Sequence, residues 1–74
     1  MGRTWEYDNY FFMFEHVNFG IVEKAVYPSL DLAIDYREAL CKKRGIDKDT
    51  MPIFKEHVYS SPDKFVTSEP CVVA

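Results

Sequence analysis

The run Trp5-Glu6-Tyr7-Asp8-Asn9-Tyr10-Phe11-Phe12-Met13-Phe14-Glu15-His16-Val17 sets the terms for the rest of the chain. In an extended backbone successive side chains point to opposite faces. Alternation therefore puts Trp5, Tyr7, Phe11, Met13 and Val17 on one side and Tyr10, Phe12 and Phe14 on the other. Both sides are apolar, so a strand over residues 5–17 asks for cover on two faces at once. Asn18-Phe19-Gly20 is a short turn in which Gly20 is free to take a positive φ, and residues 21–27 read as the returning strand of an antiparallel hairpin.

The period changes at Pro28-Ser29. Ser29 is a good N-cap and Asp31 sits in the first turn, where the helix dipole favours an acid. From Leu30 to Arg44 there is no Gly or Pro. Lys42, Lys43 and Arg44 suit a helix C-terminus, and Gly45 suits the residue that ends it. Residues 47–50 are a polar loop, and residues 52–59 alternate as a third strand. Ser60-Ser61-Pro62-Asp63 is a turn or a helix start, after which Phe65-Val66-Thr67 has the makings of a short fourth strand. The expectation is a single α+β domain over residues 1–74. It has a small antiparallel sheet in the order β-β-α-β with one helix on one face, and residues 60–74 form a turn and an apolar tail.

A chain of 74 residues has little interior to work with, and its 16% aromatic content, one Trp, five Tyr and six Phe, is one way to enlarge it. The 47% hydrophobic and 28% charged composition excludes a disordered chain. A net charge of −3 argues against binding through nucleic-acid phosphates.

One helix covers one face of a sheet. The tail, with Pro62 and Pro70, covers at most part of the other, so Tyr10, Phe12 and Phe14 are expected to lie against a partner. The helix points the same way. Asp31, Asp35, Glu38 and Lys42 occupy a narrow polar stripe, and apolar residues fill most of the remaining circumference. Arg37 and Arg44 fall inside that apolar arc. They either snorkel to water or serve as interface cations, the role in which they join Tyr10, Phe12 and Phe14 as partner-binding candidates. The partner expected is another protein, a second copy of the chain (a homodimer), or both.

No catalytic or metal-binding constellation stands out. Glu15-His16-Val17 repeats as Glu56-His57-Val58, but alternation sends each Glu and its neighbouring His to opposite faces. Cys41 and Cys71 lack zinc-ligand spacing, and Gly2, Gly20 and Gly45 do not form a phosphate loop. The expectation is a protein without cofactor, metal or enzymatic activity. It is a cytoplasmic binding module of the adaptor or stoichiometric-inhibitor kind, by analogy with small acidic proteins of phages and mobile elements. Two other readings compete. Cys71-Val72-Val73-Ala74 fits a prenylation box, which would make the chain a lipid-anchored regulator and is its one route to a membrane. An aromatic sheet face also suits single-stranded nucleic acid, although Glu6, Asp8, Glu15 and Glu23 outnumber Lys24 on the first two strands.

Overall fold

The computed structural model describes residues 3–74. It has the α+β architecture expected: one helix packed on a small antiparallel sheet. Strands β1 (Trp5–Glu15) and β2 (Val22–Tyr27) form the hairpin. Helix α1 (Leu30–Arg44) follows, then a single 3-10 turn (Lys48–Thr50) and strand β3 (Phe54–Ser60). Two short strands end the chain, β4 (Phe65–Thr67) and β5 (Cys71–Val72). The sheet order is β2-β1-β3-β4, and β5 also pairs with β3.

Local chemistry accounts for the boundaries. The hairpin turn is wider than three residues: the His16 N–H bonds the Ile21 carbonyl, so β1 stops at Glu15 and β2 starts at Val22. Gly20 takes φ 63° inside this turn, a conformation that disfavours any side chain with a Cβ. Ser29, at φ −139° and ψ 154°, accepts from the Leu32 N–H as N-cap, and Gly45 ends α1 at φ 68° with its N–H on the Cys41 carbonyl.

β1 is shared unevenly. Its second half, Tyr10 to Glu15, pairs with β2, and its first half, Trp5 to Phe11, pairs with β3. The helix follows directly from β2 and settles over the second half. Phe12 is 1% exposed in a core with Ala33, Cys41, Met51 and Ile53, and Tyr10, Phe14, Ala25, Tyr27, Leu30, Ile34, Leu40 and Ile46 pack around it. Its burial against water is worth about 2–3 kcal/mol. Tyr27 stacks on Phe12 at 5.8 Å and on Tyr36 of α1 at 4.9 Å, and burial pushes its phenol above the usual value.

This reverses the expected assignment of faces. Tyr10, Phe12 and Phe14 lie under α1, and the face carrying Trp5, Tyr7, Phe11 and Met13 has no helix over it. The tail does not supply the missing layer. It joins the plane of the sheet, with β4 beside residues 58–60 and β5 beside Phe54 and Lys55 along the outer edge of β3.

A candidate interaction face

The register defines the helix-free face. Phe11 sits opposite Val26 on β2 and Phe54 on β3, Met13 opposite Lys24, Asn9 opposite Glu56, and Tyr7 opposite Val58. Val58 in turn faces Thr67, Ser60 faces Phe65, and Phe54 faces Val72. Trp5, Tyr7, Met13, Val26, Phe65 and Val72 on this surface are each 42–66% exposed. Val22, at the end of β2, adds to it. These exposed apolar side chains share one face of the sheet and are not scattered singly over the surface.

At the middle of the face, burial is achieved sideways. Phe11 is 6% exposed although, among the described residues, no helix is layered on it. Its ring stacks on Phe54 at 5.3 Å, and Lys24 Nζ lies 4.1 Å from the ring centre. Lys24 reaches on across β1 to Glu56 Oε1 at 3.3 Å, so a cation from β2 and a carboxylate from β3 meet over the central strand. Glu56 is buried, and its charge is tolerated there because Lys24 stands beside it. The cation over the ring adds a favourable contact of its own.

The arginines singled out in the sequence do different work from that expected. Arg37 is buried between Ala33 and Cys41 on the inward stripe of α1 and donates from Nη1 to the Met51 carbonyl at 3.2 Å. It ties the helix to the loop before β3, and its Nε has no hydrogen-bond partner among the described residues. Arg44 donates to the Glu15 carbonyl and lies 5.6 Å from the Phe14 ring centre, which fastens the helix C-terminus to the hairpin. Neither guanidinium faces the helix-free surface. Cys71 is an exposed free thiol on β5. The Val73 N–H bonds the Ile53 carbonyl, and the Ile53 N–H bonds the Ala74 carbonyl.

A charged cluster not foreseen in the sequence occupies the uncovered half of the helix-side face. His57 Nδ1 is 2.9 Å from Asp8 Oδ1, and Nε2 is 3.2 Å from Glu6 Oε1. Lys55 Nζ adds a contact to Asp8 Oδ2 at 3.7 Å. Both ring nitrogens meet carboxylates, an arrangement fully satisfied by the imidazolium. The hydrogen bonds to Asp8 and then Glu6 raise the His57 pKa above its ordinary value, and the bond from His57 holds Asp8 below its own. His16, the other histidine, is at the hairpin turn, where Nδ1 accepts from the Asn18 N–H and the ring packs on Phe19. Among the described residues, no group of His, Cys, Asp and Glu is arranged to hold a metal ion, and no helix is long and apolar enough to cross a membrane. A shallow depression on α1 is lined by Asp35, Glu38, Ala39 and Lys42, all from that one helix.

No family model matches the chain, and no curated protein or solved structure matches it either.

Proposed function

We propose that this chain is a non-enzymatic protein-binding module whose working surface is the helix-free face of its sheet. The observation that carries this reading is the exposure of Trp5, Tyr7, Met13, Val26, Phe65 and Val72 on the side of the sheet that α1 does not cover. Aromatic residues and Met are the types enriched where proteins bury surface against each other. The adaptor or inhibitor role anticipated from the sequence falls within this reading, and so does work in the cytoplasm.

Differential capture tests it. The tagged chain and its Val26→Asp variant, expressed in the native host, are compared for the proteins they retain, untagged copies of the chain included. Val26 is 46% exposed on the edge strand β2, directly opposite Phe11, so the substitution puts a charge on the face without entering the core. A protein retained by the wild type and lost by the variant supports the reading. Equal retention by the two ends it.

A further inference from the structure

We infer that the occupant of the helix-free face is a second copy of the chain, packed sheet to sheet. The inference rests on reading this face as the interaction surface and adds the identity of what covers it.

The molecule has the dimensions of half an object. Its extents are 49 × 26 × 17 Å and its radius of gyration is 14.4 Å, where a compact chain of this length reaches about 11 Å. Its accessible surface is 5520 Å², whereas a compact monomer of 8.7 kDa exposes about 4,700 Å². The excess, roughly 800 Å², matches what one partner buries in an interface of standard size. A sheet face needs no complementary groove to meet another. Two such faces stack at about 10 Å with their side chains interdigitated, and a two-fold axis makes the same patch serve both sides.

Charge selects the same face. The chain carries −3, so two copies repel in most orientations. The acidic stripe of Asp31, Asp35 and Glu38 lies exposed on α1, on the far side of the sheet, and points outward when the bare faces meet. On the bare face itself Lys24 and Glu56 neutralise each other at 3.3 Å, which leaves its centre without net charge. A partner of different sequence would have to match this neutrality; a second copy does so by identity.

Sedimentation equilibrium on the full chain from about 1 to 200 µM brackets the affinities in question. The expected mass is twice 8.7 kDa. Val26→Asp and, separately, Met13→Lys should each raise the dissociation constant by about 10-fold or more, because each buries a charge without a partner in the interface. Far-UV circular dichroism should be unchanged. Leu32→Asp, on the exposed side of α1, should leave the dimer intact. If either face variant fails to fold, Phe65→Ser on the short strand β4 replaces it. A wild-type chain that is monomeric throughout the range overturns the second copy as occupant, and the capture experiment above then decides alone whether the face binds another protein. A dimer that survives both face substitutions places the contact elsewhere and overturns the inference outright.

Discussion

Phe11 and Phe12 are adjacent, both are nearly inaccessible to water, and they reach that state by unrelated means. Phe12 is roofed: α1 lays Ala33 and Cys41 over it, and Ile53 and Met51 close the side. Phe11 is fenced, by the ring of Phe54 at 5.3 Å and the ammonium of Lys24 at 4.1 Å, with no layer above. Equal burial thus has two origins, a layer packed over one ring and neighbours packed beside the other. Removing a roofed ring leaves a hole with walls; removing a fenced one leaves a dent open to water.

That difference sets the largest expected effect. Phe12→Ala should cost about 4 kcal/mol, the middle of the range for deleting an enclosed phenylalanine. A domain of 74 residues has a total stability of about 4–11 kcal/mol, so the variant should be close to unfolded in urea titrations. Phe11→Ala should cost about 2 kcal/mol, because solvent fills the space and the main loss is the ring's own contacts. Equal costs for the two would erase the distinction between the faces. If the bare faces do associate, the Phe11→Ala cost should grow with protein concentration while the Phe12→Ala cost does not.

Arg37→Met sharpens the account of the covered side. It removes the bond to the Met51 carbonyl and strands that acceptor, yet it also relieves a buried cation whose Nε has no partner. The net loss should be about 1 kcal/mol, read as a urea-midpoint shift with an unchanged slope.

The smallest effect belongs to the uncovered half of the helix-side face. His57 has a raised pKa in the folded chain, so its stabilisation is complete below its unfolded value near 6.5 and disappears as pH climbs through the folded value. Asp8 has a lowered one, so its share is present above the unfolded value of 3.8 and is lost as pH drops through the folded value. Both act together between about pH 4 and 6.5. Proton NMR titration should find His57 above 6.5. His57→Gln should flatten the stability profile on the alkaline side of that window, an effect that shrinks in high salt because the groups face water.

The sequence allowed much of this to be read. Ser29, the run from Leu30 to Arg44 and Gly45 announce the helix, and the alternation on either side of Asn18-Phe19-Gly20 announces the hairpin. What alternation cannot say is which of two apolar sides the helix will choose. That depends on the register that sets Tyr10 against Tyr27, which then hands the chain to α1 on the side of Phe12. Arg37 was open to a better reading, since it is four residues from both Ala33 and Cys41 and so belongs to the inward stripe they form. The cluster of Glu6, Asp8 and His57 had no local signal. Its members meet only because Asp8 pairs with His57 across the sheet, and neither strand carries that information alone. Cys71 and Val72 make too short a strand for any period to show.

The division of β1 between two partners gives one continuous strand two histories of assembly. Glu15 finds Val22 across a short turn, so this end can close within microseconds, as hairpins do. Trp5 must wait for Ser60, which arrives only after the helix and everything beyond it have come round, and closing that long loop is the slow, entropically expensive step. Amide protons along a single element should thus become shielded in sequence, from its far end back toward its start.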